Sequence, residues 1–284
     1  MSKKAHLRNA RSVFVYLCIL VTVLGSSSCS SVPLAQTGSL ASYDRLGPQQ
    51  GHLSKSRSFV DGPSIVAAST VSLLPTTVSE TALSKLSHPD ESRLVANAID
   101  RTMCVVLSDR YHIVPPGQRA DLTVHATVTD IVPTGQVAAG LSTAVTLGSS
   151  VVLPVGVPRL PVGLGGMAAE VEAVDLLGQQ RAAMVWSKGA NSITDMPRVS
   201  EIGDAYNFAS AFSSQFARLL IKGRTSSGLD IALPSRQRVQ AALGGKPKEA
   251  ACLAFGPAPG VGGMIAATLG APPSWTDHGD SQRR

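Results

Sequence analysis

The sequence predicts an α+β domain in which an antiparallel sheet carries two helices packed on one face. Residues 121–132 alternate apolar and polar side chains, and residues 165–187 show a strand–turn–strand pattern, so antiparallel strands are expected in both. Residues 88–111 and 205–221 instead place apolar residues at the 3.6-residue spacing of a helix. Hydrophobic residues make up 44% of the 284 positions and charged residues 15%, which excludes a disordered polyelectrolyte.

An export signal is predicted for residues 1–28. A basic stretch, residues 1–12, precedes an uncharged and mainly apolar run from Val13 to Leu24. As a helix this run covers about 18 Å, short of the roughly 30 Å hydrocarbon core, so it is typical of a signal peptide rather than of a transmembrane helix. The rest of the chain is therefore expected to be exported.

The residues that follow predict a lipid anchor. Small residues stand directly before a cysteine, as in the bacterial lipobox, in the order Gly25-Ser26-Ser27-Ser28-Cys29. Cys29 is the expected lipid attachment site after cleavage of the signal, and multiple acyl chains would hold the protein stably on a membrane. Ser26 departs from the pattern, where an aliphatic residue is usual. Cleavage near Ala35, giving a soluble periplasmic protein, is the alternative.

The charge of the chain bears on its partners, and the residue after Cys29 bears on its location. The formal net charge is +6, but four of the 25 basic residues lie within the first eleven positions. Without the signal, 21 basic residues face 19 acidic ones, which leaves no electrostatic footprint for a nucleic acid partner. Ser30 follows the cysteine where inner-membrane lipoproteins typically carry Asp, so the periplasmic side of the outer membrane is the expected location.

Residues 29–57 are predicted to be a lipidated N-terminus and flexible tether, because they are rich in Ser, Gly, Pro and Gln. Within this stretch Leu40, Tyr43 and Leu46 fall three residues apart, a spacing that lets one face of a short turn dock on the domain. The α+β domain is then expected over residues 58–223. Its first part, residues 64–78, is β-branched and bounded by Pro, which predicts one or two strands.

The next elements follow from local pattern. A helix is expected to open at His88-Pro89-Asp90-Glu91 and to run to about Tyr111, followed by a short strand to Val114. Residues 121–132 form the clearest strand. Its apolar face carries Leu122, Val124, Ala126 and Val128, and its solvent face carries Thr123, His125, Thr127 and Thr129.

Residues 131–158 carry no charge. Their length permits a transmembrane helix, but several Gly and Pro residues make it a poor one, so an extended β-hairpin or a packed Gly-rich loop is expected. An alternative function depends on this segment: an oligomeric, membrane-inserting protein in which residues 131–158 form a hairpin that joins a barrel.

The end of the domain is predicted to be a hairpin and a helix. Strands at 167–176 and 181–186 flank a turn, and Asp204 is expected to cap a helix from Ala205 to Ile221 that Gly223 ends. Its apolar stripe carries Phe208, Phe212 and Phe216. Residues 224–284 are rich in Gly and Pro and are expected to form a low-order tail, with an interfacial segment near 264–269 as the alternative.

Four motifs resemble the bacterial putative-lipoprotein family known as domain of unknown function number 3313. They are Gly38-x-Leu40-x-x-Tyr43-x-x-Leu46, the strand start Ala120-Asp121-Leu122, the run Glu170-x-Glu172-x-x-Asp175-x-x-Gly178, and the amphipathic helix to Leu220. The resemblance covers about residues 36–222. It departs at Leu74-Pro75, where an Asp-Pro step is expected. It implies a lipid-anchored envelope protein and implies no activity.

No arrangement of reactive residues indicates catalysis, so the protein is not expected to be an enzyme or to hold a cofactor or metal. No His or Cys pair has zinc-ligand spacing, and no GxSxG nucleophile elbow occurs. Glu170 and Glu172 share one strand face about 7 Å apart, a separation that a glycosidase pair could have, but two solvated carboxylates are expected. Cys104 and Cys252 are expected to be free thiols, with a disulfide as the alternative.

These observations favour a lipid-anchored envelope protein that acts without catalysis, as an accessory or binding subunit. Its partners are expected to be the membrane, reached through the N-terminal lipid, and either an envelope protein or further copies of itself. The polar strand face with His125 is the predicted contact surface.

Overall fold

The computed structural model describes residues 32–141, 162–192, 195–196, 198–225 and 233–279. Within them a seven-stranded sheet has the order β1-β7-β6-β5-β2-β4, with β3 paired to β5. The strands are β1 Ser54–Val60, β2 Thr70–Leu73, β3 Thr77–Val78, β4 His112–Val114, β5 Leu122–Val132, β6 Gly166–Asp175 and β7 Gln180–Gly189. The α-helices with both ends among the described residues are α1 Gly62–Ala67, α2 Glu80–Leu83, α3 Ser92–Leu107, α4 Gly203–Lys222, α5 Arg236–Ala242 and α6 Gly260–Thr268.

The sheet is mixed, so the expectation of a purely antiparallel sheet was wrong. Strands β1, β7, β6 and β5 pair antiparallel as predicted. However, β2 runs parallel to both β4 and β5, and β3 runs parallel to β5. Parallel neighbours require a long crossover connection, and α3 lies in the connection between β3 and β4.

Helices α3 and α4 lie against each other and cover one face of the sheet. The predicted Phe stripe of α4 is buried there, and the ring of Phe212 lies 5.7 Å from that of Trp186 on β7. Burying each such aromatic side chain contributes roughly 1.5–3 kcal/mol. Gly223 ends α4 with φ of +61°, a left-handed conformation that a glycine adopts without steric cost.

Strand β5 confirms the predicted alternation up to a bulge. Its four apolar residues from Leu122 to Val128 face the core and are buried. Val128 then pairs with Ala169 but Asp130 pairs with Ala168, so Thr129 is the extra residue of a β-bulge. Thr129 is consequently buried, although alternation alone assigned it to the solvent face.

The stretch at 64–78 is only partly strand. Residues 62–67 form α1, with Pro63 in its first turn, where proline is favoured because the first helical N–H groups have no partner within the helix. Strands β2 and β3 follow on either side of Leu74-Pro75.

Residues 32–46, named here the N-terminal segment, are packed on the sheet rather than forming a free tether. They lie across the sheet face opposite α3 and α4, with Leu40 and Leu46 against Ala183 and Val185 of β7. This confirms docking by the Leu40, Tyr43 and Leu46 stripe. Residues 54–57, at the end of the predicted tether, already belong to β1.

Residues 233–279, named here the C-terminal segment, are folded, so the expectation of a low-order tail was wrong for them. Helix α5 and the 3-10 turn Ala250–Phe255 pack against α3, and helix α6 packs against the 3-10 turn Pro273–Trp275. Lys248 Nζ donates to the Ser108 carbonyl at 2.8 Å, and the Gly270 carbonyl accepts from Val199 N–H at 2.9 Å.

Several predicted features lie outside the described residues: the signal, Cys29, and residues 142–158 of the uncharged segment. Of that segment, Ile131 and Val132 close β5 and residues 136–141 are helical. Within the described ranges, no helix combines the length and the apolar character needed to span a bilayer.

Candidate functional site

Two carboxylates of β6 lie beneath the N-terminal segment. Glu170 and Glu172 point away from the helices, because their neighbours Val171 and Ala173 point into the core. Glu170 is fully buried and Glu172 is 3% exposed, so the expectation of two solvated carboxylates was wrong. Carboxylates are rarely buried this fully unless their oxygens are paired.

Glu170 accepts hydrogen bonds from three residues of the N-terminal segment. The N–H groups of Thr37 and Ser39 donate at 2.9 and 3.2 Å, and the Tyr43 hydroxyl donates at 2.7 Å. The Ser39 hydroxyl donates to the same carboxylate. Hydrogen bonds to a charged acceptor are about twice as strong as neutral ones, so these contacts offset the desolvation of the carboxylate.

Glu172 is paired on three sides. Ala41 N–H donates at 3.0 Å, the Gln180 side chain donates from the neighbouring strand, and His125 Nε2 lies 3.1 Å away on β5. Burial by itself would raise the pKa of Glu172, but the hydrogen bonds from His125, Gln180 and Ala41 outweigh it and hold the pKa below its usual value.

The family motif from Gly38 to Leu46, named here the docking motif, holds the N-terminal segment on the sheet. Gly38 has φ of +86°, and its N–H donates to the Tyr43 hydroxyl at 2.7 Å, so the chain folds back over the tyrosine. That hydroxyl is held between Gly38 and Glu170. Burial, and next the Glu170 carboxylate, raise the pKa of Tyr43. Leu40 and Leu46 supply the apolar contact.

This arrangement is suited to holding the chain in place and not to acid–base chemistry. Donors from the N-terminal segment, Gln180 and His125 occupy the carboxylate oxygens. A general acid or base must be within reach of a substrate proton, and the N-terminal segment covers this pair. Sequence reasoning found both halves of the contact but not their pairing, because more than 120 residues separate them.

The predicted contact surface on β5 is smaller than expected. Thr123, His125 and Thr127 remain partly exposed on the outer face, whereas Thr129 is buried at the bulge. His125 is 34% exposed at its side chain and is tied to Glu172.

Cys104 and Cys252 form a disulfide, so the expectation of two free thiols was wrong. Their Cα atoms lie 5.7 Å apart across a sequence separation of 148 residues, and both residues are buried. The bond joins α3 to the C-terminal segment. A buried ion pair joins the same elements, with Arg101 Nη2 2.6 Å from Asp277 Oδ2. Burial would raise the pKa of Asp277, but Arg101 and the Tyr206 hydroxyl hold it below its ordinary value.

A cleft of about 540 Å³ lies between α3, α4 and the C-terminal segment. Much of its wall is apolar, including Val105, Ala242 and Met264. Two of its charged residues already have partners in the protein: Arg101 with Asp277, and Arg238 with Asp109 at 3.7 Å. The polar side chains of Thr102, Ser210 and Ser214 also line the cleft.

Asp204 was expected to cap α4, but it does not. The N-cap position is Ile202, and Asp204 lies in the first turn. Its carboxylate accepts from the Gly165 N–H at 2.8 Å and the Thr134 hydroxyl at 3.1 Å. Asp204 therefore ties together the end of β5 and the start of β6. Among the described residues, no three His, Cys, Asp or Glu side chains are grouped to hold a metal ion.

Comparison with known proteins identifies the family and little else. No curated protein matches the chain. Among solved structures, a PelC dodecamer from Paraburkholderia phytofirmans aligns with a TM-score of 0.36 and 12% identity, covering 61% of this chain and 99% of that one. A second PelC dodecamer structure from the same organism aligns with a TM-score of 0.33 and 10% identity over the same shares.

The family model described as "Protein of unknown function (DUF3313)" matches residues 35–216. The match begins within the N-terminal segment and ends inside α4, so it includes both the docking motif and the buried glutamates. The chain belongs to the DUF3313 family.

Proposed function

We propose that this protein is a lipoprotein of the bacterial cell envelope, anchored through Cys29 on the periplasmic side of the outer membrane, and that it acts without catalysis as an accessory or binding subunit. One observation carries the proposal: Val32 is buried on the sheet and comes only three residues after the lipobox cysteine. An anchor at Cys29 thus leads directly into a chain that is fastened to the sheet.

The Cys104–Cys252 disulfide supports export. Disulfides persist in oxidising compartments such as the periplasm and are rare in the cytosol. This pair is buried and joins two elements far apart in sequence, so it is a structural bond rather than an exposed redox pair.

A non-catalytic role is supported by the state of the ionisable groups. The buried carboxylates of β6 accept hydrogen bonds from the N-terminal segment, and the two arginines of the cleft are paired with Asp277 and Asp109. The part of the outer face that stays partly exposed, around Thr123, His125 and Thr127, is the surface we assign to an envelope partner or a second copy.

Radiolabelled palmitate incorporation tests the proposal. The wild-type protein is expected to incorporate label and to fractionate with membranes, and Cys29→Ser is expected to lose both properties. Cys18→Ser is the matched control, because this cysteine lies within the signal and should leave labelling unchanged. Absence of label in the wild type, or label that persists in Cys29→Ser, would contradict the proposal.

A further inference from the structure

Val32 and a set of exposed apolar side chains lie at the same end of the sheet. Val32 marks this end: its carbonyl accepts from the Ser187 hydroxyl at 3.1 Å, and a Cβ built on Gly166 would collide with its side chain. Gly166 is the first residue of β6 and pairs with both Val132 and Gly189. The end of β5, the start of β6 and the end of β7 therefore meet beside Val32.

Three further segments join this end through direct contacts. Gly135 N–H donates to the Gly163 carbonyl at 2.9 Å, which brings the helical turn at 136–141 beside the chain entering β6. A Cβ on Gly140 would lie 3.8 Å from the side chain of Val199. Val199 N–H in turn donates to the Gly270 carbonyl at 2.9 Å, immediately after α6. We name this surface, with Val32, the anchor end.

Large apolar residues at the anchor end are exposed. Each is more than half exposed, and they come from four separate segments: Val137 at 88%, Leu141 at 55%, Val162 at 58%, Met196 at 51% and Leu269 at 53%. Exposed apolar side chains drawn from several segments onto one surface indicate an interaction site. Residues 131–141, 162–169 and 250–276 contain no charged residue in this sequence.

The short chain from Cys29 to Val32 limits the distance between a lipid anchor and the anchor end. Three peptide steps of at most about 3.6 Å keep Cys29 within roughly 11 Å of Val32. A lipid on Cys29 therefore brings the anchor end to the bilayer, and a longer, free tether would not.

We infer that the anchor end rests on the membrane, with Val137, Leu141, Val162, Met196 and Leu269 in the boundary between headgroups and acyl chains. This inference rests on the proposed lipid anchor. Apolar side chains with few charges among them suit that boundary, whose depth for interfacial segments is about 5–10 Å. The turn between β6 and β7 then points away from the membrane, about 30 Å distant along the ten residues of β6.

Depth-dependent fluorescence quenching tests the orientation. The lipidated full-length protein is reconstituted in phosphatidylethanolamine and phosphatidylglycerol vesicles, with a thiol-reactive fluorophore attached at Val137→Cys or Val162→Cys. Leu177→Cys, 80% exposed in the β6–β7 turn, is the matched control. Cys104 and Cys252 are bonded to each other and do not compete for the label. All three positions are exposed, so unlabelled unfolding midpoints should match the wild type.

Brominated acyl chains are expected to quench the probes at 137 and 162 and to leave the probe at 177 bright. Equal quenching at both ends, with palmitate incorporation intact, would overturn the orientation and leave the lipid anchor standing. Probes at 137 and 162 that are shielded from soluble iodide but not quenched by bromolipid would show a protein on this surface, such as a second copy, and would also overturn it. Absence of palmitate label would overturn the anchor and the orientation together.

Discussion

The environment of Glu170 in the structure differs from the one that its sequence position predicts. On a strand, alternation places it on the outer face, and an outward carboxylate is ordinarily solvated. In the fold it is fully buried, because four donors from Thr37, Ser39 and Tyr43 replace its water. The charge is thereby used to fasten the N-terminal segment rather than to do chemistry.

Replacing Glu170 is expected to release the N-terminal segment. In Glu170→Gln the side chain keeps its volume but loses the charge and one acceptor oxygen, so the donors from Ser39 and Tyr43 lose their charged partner. Hydrogen bonds to charged groups are worth about 1.5–3 kcal/mol each, and a loss of about 2 kcal/mol in unfolding free energy is expected. Urea unfolding measures that loss, and hydrogen exchange at residues 37–41 locates it.

Glu80→Gln provides the comparison for that experiment, since Glu80 is exposed at the start of α2. It should leave both measurements unchanged. Unaltered exchange protection at Thr37 and Ser39 in Glu170→Gln would mean that the apolar contacts of Leu40 and Leu46 hold the segment without the carboxylate.

At the scale of elements, local pattern succeeded wherever an element buries one regular face. Strand β5, the β6–β7 hairpin and α4 each lie within a few residues of their predicted bounds, because alternation and the 3.6-residue period directly reflect burial. Local pattern did not predict the structure of the C-terminal segment. Its many Gly and Pro residues break any period, and it is held by the Cys104–Cys252 bond and the Arg101–Asp277 pair instead.

Removing the disulfide is expected to loosen the C-terminal segment. Cys252→Ser should lower the unfolding free energy by about 2–5 kcal/mol, because the bond closes a long loop and restricts the unfolded chain. Leu253→Ser, at an exposed neighbouring position, serves as the control and should cost far less. The measurement is urea unfolding combined with limited proteolysis of residues 233–279.

A reductant separates the loss of the disulfide from the loss of the Cys252 side-chain packing in the Cys252→Ser variant. Dithiothreitol should bring the wild type down to the level of Cys252→Ser and should not affect the variant further. Equal stability of oxidised and reduced wild-type protein would contradict a stabilising role for the bond.

At the scale of the whole molecule, strand order was decided by connections that no local pattern reveals. Strands β2 and β3 read correctly as short β-branched stretches, yet their parallel pairing with β5 arises from the crossover through α3. The same topology brings the start of the N-terminal segment, the end of β5 and the end of α6 to one end of the molecule.

The fold as a whole is expected to lose stability in acid. Hydrogen bonds from the N–H groups of Ser69 and Thr70 lower the pKa of Asp121 to about 2, and the pKa values of Glu172 and Asp277 are also lowered. Unfolded Asp and Glu titrate near 3.9 and 4.3, so the unfolded chain binds more protons in acid. The stability from these groups is present in full above about pH 5 and is lost as pH falls from about 4 towards 2.

Urea unfolding midpoints between pH 7 and pH 2 measure this effect. Asp121→Asn should be less stable than the wild type at pH 7 and should show a shallower decline in acid, because the carboxyl whose pKa is lowered to about 2 is gone. A midpoint that stays constant or rises between pH 4 and pH 2 would show that these carboxyls do not couple folding to pH.

The sequence by itself determined the family and the elements with a regular buried face, which are β5, the β6–β7 hairpin and α4. These features depend on residues close together in the chain. Only the tertiary structure decided the mixed sheet, the fastening of residues 32–46 over Glu170 and Glu172, and the folded C-terminal segment. Each depends on partners more than 40 residues apart, whose meeting is set by chain topology and long-range burial rather than by local periodicity.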